Sequence, residues 1–322
     1  MQTHPLMLTM ATRREILGGV ALTLLGGCAG TAPSGSDAER ETPASTQSPT
    51  PTPTATESTD TQTPHTGCQP GAVEVDGTCE VAASDQNAAI FDAEDLVPIT
   101  AERTTVGDAP GYLARPDDDG AYPAVVMIHE WWGLNENIER MAEILAGHEY
   151  VVFAVDLYDG EVATDSEAAA RLSGQVRESP DEAVATMSGA VEGLRAMSGT
   201  TDRVASLGWC FGGGQSLQLS LSDADLDATV IYYGTLATDE ATLERIDGPV
   251  LGIFGSEDRV VPIEDVQAFD ETLGDLAIER EIHVYEGAGH AFANPSGERF
   301  RPEDTRDAWA KTLDFLDRAL AA

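Results

Sequence analysis

The sequence predicts an α/β domain, a mainly parallel sheet covered by helices on both faces, preceded by a long disordered tether. Three observations predict it. From about Leu96 to Ala322, short apolar runs of strand length alternate with segments repeating apolar residues at helical spacing. The runs are continuous rather than alternating with polar residues, as strands buried on both faces of a parallel sheet require. Residues 29–66, by contrast, are almost entirely Thr, Ser, Pro, Ala, Gly and acids. Such a stretch cannot bury enough apolar surface to offset its chain entropy.

Taken in order, "VPITAERTTV" and "PGYLARP" read as antiparallel strands at a sheet edge. The strands proper are "YPAVVMIHE", "YVVFAVDLY", "RVASLGWC", "ATVIYYG", "PVLGIFG" and "REIHVYEG". Between them "ENIERMAEILAGH", "SPDEAVATMSGAVEGLRAM", "FGGGQSLQLSLS" and "IEDVQAFDETL" carry polar faces and helical apolar repeats. "EDTRDAWAKTLDFLDRAL" closes the domain as an amphipathic helix burying Trp309, Leu313, Leu316 and Leu320. Residues 96–322 are ample for one such domain.

The first 28 residues read as a targeting segment. In "TRREILGGVALTLLGGC", Arg13 and Arg14 precede an apolar run from Ile16 to Leu25, then small residues and Cys28. A spanning helix needs about 20 apolar residues, so the run suits a signal peptide better. The paired arginines resemble the twin-arginine export signal, and "LLGGC" resembles a lipobox, in which Cys28 is diacylated. Two acyl chains anchor stably where one is marginal. The reading is a lipid-anchored protein on the extracytoplasmic face of the membrane. A plain secretory signal, or cleavage without lipidation, are the alternatives.

Residues 67–95 form a short segment in which Cys68 and Cys79 bracket "QPGAVEVDGT". In an oxidising exterior a local disulfide is the simplest account, with free thiols or a metal site the alternatives. His65 with two cysteines leaves a structural zinc site one ligand short, so no metal is expected. Cys210 then stands alone.

The chain carries 18 Lys and Arg against 56 Asp and Glu, a formal net charge of −38, and Lys311 is its only lysine. Molar salt, with a Debye length of about 3 Å, would screen the repulsion among these carboxylates. The composition reads as adaptation to high salt, with an ordinary acidic protein the alternative. It argues against nucleic acid and anionic membrane surfaces as partners.

The chemistry gathers at the carboxyl ends of the strands, where ligands meet such sheets. "GWCFGGG" puts Cys210 between a strand and a helix with the Gly-x-nucleophile-x-Gly spacing of the α/β-hydrolase elbow. The helix N-terminus favours a thiolate there. Asp258 in "FGSEDRVVP" and His290 in "YEGAGHAFAN" follow in the triad order nucleophile, acid, histidine, with Glu257 the competing acid. Backbone N–H groups of Trp131 and Phe211 occupy the positions of an oxyanion hole. Glu130, in "HEWWGLN", makes sense beside them if it points at Cys210 and takes the thiol proton; a solvated strand-end acid is the alternative. Trp131 and Trp132 are core or a substrate-facing wall. Ser206, Ser216 and Ser256 lie at no elbow.

Cys210 in "GWCFGG", Glu130 in "HEWWGLN", Asp258 in "GSEDRVVP" and His290 in "GAGHAFA", with "DLY" at 156–158 and "YYG" at 232–234, resemble the dienelactone hydrolase family. The resemblance covers roughly residues 96–322. It implies an α/β-hydrolase with a Cys-His-Asp triad that acts on cyclic enol esters and related esters without a cofactor. It implies that Glu130 activates a cysteine otherwise resting as a neutral thiol. The family binds a substrate carboxylate with arginines, one of them four residues beyond the catalytic histidine, where this chain has Asn294. Arg171 is the candidate for another, on the helix after "DLY"; Arg299 and Arg301 are nearby substitutes. Trp132, Arg171 and Asn294 are the candidate substrate-binding residues.

The sequence therefore predicts a cell-surface hydrolase, monomeric, that cleaves small carboxylic esters or lactones through an acyl-thioester on Cys210. The alternative is a catalytically silent, membrane-tethered binding protein with the same fold. A redox role lacks a resolving cysteine near Cys210.

Overall fold

The computed structural model describes residues 90–93 and 95–321, together with the backbone of β1 (Ala72–Val75) and β2 (Thr78–Val81). The signal segment, the tether, Cys28 and Cys68 lie outside the described residues, and so do the lipidation and disulfide expectations. Of Cys79 only the backbone is described, where β2 pairs antiparallel with β1.

The remaining strands form one eight-stranded sheet. β3 (Ile99–Val106) and β4 (Ala109–Pro116) are the antiparallel hairpin at one edge. β5 (Tyr122–Ile128), β6 (Val151–Val155), β7 (Thr200–Trp209), β8 (Ala228–Tyr232), β9 (Val250–Gly255) and β10 (Arg280–Tyr285) run parallel. The order across the sheet is β10-β9-β8-β7-β5-β6-β4-β3. From β5 the chain moves outward to β6, then returns past β5 to place β7 on its other side. The crevice between the carboxyl ends of β5 and β7 is thus the switch point where ligands bind in open α/β sheets.

Helices cover both faces because successive strand residues point to opposite sides. Val125 and Met127 of β5 pack toward α1 (Glu136–Gly147) and α7 (Pro302–Ala319). Ala124, Val126 and Ile128 pack toward α3 (Pro180–Ala196) and α4 (Phe211–Ser220). Around β8 and β9 that second face is covered by α5 (Glu240–Leu243) and α6 (Ile263–Asp275). In α7, Trp309 and Leu316 are buried and Leu313 partly so, while Leu320 caps the helix.

One helix follows from the family resemblance alone, as the helix after "DLY", and one was not expected. α2 (Ser166–Glu178) buries only Ala169, Leu172 and Ser173, so its apolar repeat is faint. α5 is a single turn. Every predicted strand is present, including the hairpin at the edge.

Candidate active site

Cys210 sits between the end of β7 and the start of α4, with φ 56° and ψ −116°. A side chain there costs on the order of 1–3 kcal/mol, which the surroundings must offset. The Cys210 N–H donates to Tyr232 O at 2.9 Å, and the Gly214 N–H donates to Cys210 O at 3.2 Å. The flanking glycines are required by close approach. A Cβ on Gly208 would lie 2.2 Å from Gly212 O, and one on Gly212 would lie 2.2 Å from Ile128 O. The turn thus presses the start of α4 against the end of β5 and leaves the thiol partly exposed.

His290, in the loop after β10, reaches Cys210 through Nε2, 3.1 Å from Sγ. Its Nδ1 lies 2.8 Å from Asp258 Oδ2. With a carboxylate on that side, Nδ1 carries the proton and Nε2 faces the sulfur. Asp258 follows β9, and its Oδ1 accepts the Val260 N–H at 2.7 Å and the Val261 N–H at 3.1 Å. The competing acid Glu257 is exposed. Burial by itself would lower the His290 pKa, but the bonds to Asp258 and Cys210 outweigh it and hold it at about 9. Burial would raise the Asp258 pKa; its bonds to His290 and the two amides hold it below the ordinary value instead.

Glu130 is 4% exposed, two residues beyond the end of β5. Its bonded partner is not the thiol but Asn294, whose Nδ2 donates to Glu130 Oε2. Burial pushes the Glu130 carboxyl up to about 7, against the lowering effects of His290 and Asn294. Asn294, expected at the substrate, thus holds a buried acid, while it also lines the cleft. The expectation that Glu130 points at Cys210 gives way to a pairing of Cys210 with His290 and of Glu130 with Asn294.

The cleft over Cys210 has a volume of about 490 Å³. Trp131 and Trp132 line it, their rings edge to face at 5.0 Å, and Val260, Ala291 and Arg299 complete its rim. Both tryptophans therefore line the cleft while packing against the buried cluster of Tyr158, Leu172 and Phe211. Neither the Trp131 N–H nor the Phe211 N–H is engaged by another described group, and Phe211 opens α4, where an N–H has no partner within the helix. Arg171 is not at the cleft: it is exposed on α2 and paired with Glu161 at 3.1 Å. The arginine of α2 nearest the elbow is Arg177, further along the helix, whose guanidinium lies 5.8 Å from the Phe211 ring centre.

Two tyrosines, at the positions marked by "DLY" and "YYG", also stand at the site. Tyr158 Oη donates to Trp131 O at 3.3 Å. Tyr233 packs edge to face on the His290 ring at 5.3 Å. The rival serines are occupied: Ser206 and Ser216 are buried and bonded to each other at 2.7 Å, and Ser256 accepts the Gly287 N–H. Among the described residues no group of three or more His, Cys, Asp and Glu side chains is placed to hold a metal ion.

A parallel sheet with helices on both faces, and a thiol, imidazole and carboxylate in series above its switch point, define an α/β-hydrolase. The model of the dienelactone hydrolase family matches residues 109–320, and the chain belongs to that family. It is 28% identical over 222 residues to a "Putative carboxymethylenebutenolidase" of Yersinia pestis, covering 65% of this chain and 83% of that protein. It is 31% identical over 217 residues to "Protein usf" of Aquifex pyrophilus, covering 65% and 93%. Among solved structures it resembles "m3DLH" with a TM-score of 0.64 and 26% identity, covering 69% of this chain and 99% of the other. The protein is an ester or lactone hydrolase of this family.

Proposed function

We propose that the protein hydrolyses small carboxylic esters or lactones with Cys210 as nucleophile, through an acyl-thioester. The observation that carries this reading is the series Cys210 Sγ to His290 Nε2 at 3.1 Å and His290 Nδ1 to Asp258 Oδ2 at 2.8 Å. His290 Nε2, whose hold on a proton the contacts with Asp258 and Cys210 strengthen, keeps the proton released by the thiol while sulfur attacks the acyl carbon. The carbonyl electrons move to oxygen, and the Trp131 and Phe211 N–H groups stabilise that oxyanion. As the oxyanion collapses the C–O bond breaks, and His290 gives its proton to the leaving oxygen. In a lactone that oxygen stays attached, and the ring opens. Water then attacks the thioester while His290 takes one of its protons. The C–S bond breaks, the acid departs, and the thiol regains its proton.

Asp258 keeps Nδ1 protonated and stabilises the imidazolium. Glu130, buried near the imidazole, adds negative charge when ionised and so favours the same imidazolium. The apolar walls of Trp131, Trp132 and Val260 suit an uncharged acyl group. Residues 1–28 support export and anchoring through Cys28, which would place the reaction at the cell surface.

A panel of aryl esters and lactones assayed in molar salt, wild type beside Cys210→Ala, tests the reading. Turnover by the wild type and none by the variant is expected. Full activity in Cys210→Ala would refute the assignment.

A further inference from the structure

We propose that His129 is a positioning residue of the oxyanion hole, holding the Glu130–Trp131 peptide so that the Trp131 N–H faces the reacting carbonyl oxygen. The inference rests on the acyl-transfer reading above. It concerns a residue that touches neither substrate nor sulfur.

Both ring nitrogens of His129 are committed. Nε2 accepts the Leu157 N–H at 3.2 Å, so Nδ1 carries the proton and donates to Glu130 O at 2.6 Å. The ring is wholly buried, and burial lowers its pKa, which keeps one donor and one acceptor in fixed places. A buried imidazole is costly unless both nitrogens are paired, and here they are.

The carbonyl it grips is the reverse side of an oxyanion donor. Glu130 O also accepts the Gly133 N–H at 3.1 Å, closing a tight turn, with Gly133 at φ +92°. In a planar trans peptide the N–H points opposite to the C=O. Two hydrogen bonds pulling Glu130 O inward therefore turn the Trp131 N–H outward, where it has no partner among the described residues.

The same ring reaches the second donor. It stacks on the Phe211 ring with centres 5.8 Å apart and planes 19° apart, while the Tyr158 ring meets its edge at 4.6 Å. One side chain thus ties the ends of β5 and β6 to the first residue of α4. An apolar side chain could fill this space but could not set the peptide plane.

The test compares two reactions of Cys210. Hydrolysis of p-nitrophenyl acetate forms an oxyanion; alkylation by iodoacetamide forms none. The full chain is assayed in molar salt as wild type, His129→Phe, His129→Gln and Cys210→Ala, with folding followed by circular dichroism. For His129→Phe the expected result is a kcat lower by about 10²-fold. KM and the alkylation rate should stay within about threefold of wild type, since the donor acts on the transition state rather than on ground-state binding. His129→Gln, which keeps one donor and one acceptor, should recover at least about tenfold of the loss.

A kcat within about threefold of wild type in His129→Phe would overturn the proposal. So would an alkylation rate that falls in step with kcat, the mark of general misfolding at the elbow. If His129→Phe does not fold, the same two rates in His129→Gln decide: kcat must fall further than alkylation. Activity retained in Cys210→Ala would instead overturn the acyl-transfer reading itself.

Discussion

Asp258 Oδ2 lies 2.8 Å from His290 Nδ1, and the Asp258 side chain has no exposed surface. A carboxylate is tolerated there because His290 and two backbone amides share its charge. Asp258→Asn keeps the shape but removes the charge that favours the imidazolium. We expect kcat for an aryl ester to fall by about 10²–10⁴-fold with the fold intact. Steady-state kinetics beside a circular dichroism spectrum would check this, and a loss under threefold would count against the assigned acid.

Stability should fall with rising pH through two windows. Glu130 is raised from 4.5 to about 7 and His290 from 6.5 to about 9, so the folded state holds each proton where the unfolded chain has lost it. With fewer protons on the unfolded state, unfolding becomes easier as pH rises. The Glu130 contribution is complete below its unfolded pKa and lost by about pH 7; that of His290 is complete below its own and lost through about pH 9. Urea midpoints at fixed salt should show Glu130→Gln flattening the lower window and His290→Gln the upper one. Unaltered slopes would contradict the sign.

Asn294 lowers the Glu130 pKa by donating to Oε2. Asn294→Leu fills similar space without the donor, so the carboxyl should titrate above about 7. Infrared difference spectra against pH would follow its protonated band, with Glu130→Gln as the blank. A midpoint at or below the wild-type value would mean that the amide does not support the carboxylate.

The elbow leaves no room for a side chain at Gly212. A Cβ would lie 2.2 Å from Ile128 O and 2.6 Å from His129 O, both backbone atoms that cannot swing aside. Gly212→Ala should destabilise the chain by about 1–3 kcal/mol, read as a lower urea midpoint, and should slow turnover as well. An unchanged midpoint would show that the turn opens more easily than its contacts imply.

Much of this was legible in the sequence, for physical reasons. Five of the parallel strands carry apolar runs because both their faces are covered, while β10 at the sheet edge is half-exposed and mixed in sequence, and Cys210, Asp258 and His290 each end a strand or stand in the loop beyond one. Backbone demands also show: glycines at 208 and 212 mark a turn with no space for Cβ. Side-chain direction was not legible. Nothing local tells whether Glu130 turns toward Cys210 or Asn294, since the choice depends on a residue 164 positions away. Arg171 looked suitable by its place after "DLY", but α2 points it at Glu161 in solvent. His129 reads as one more histidine until its two nitrogens are seen joining the ends of β5 and β6.

Mass spectrometry of the rapidly quenched enzyme tests most directly whether Cys210 carries the acyl group. Wild type mixed with excess p-nitrophenyl acetate in molar salt, quenched in acid and digested, should yield the peptide containing Cys210 heavier by one acetyl group. His290→Ala should accumulate that adduct more slowly, and Cys210→Ala should show none. An acetyl group on Ser206, Ser216 or Ser256, or turnover with no adduct on Cys210 at any quench time, would contradict the account.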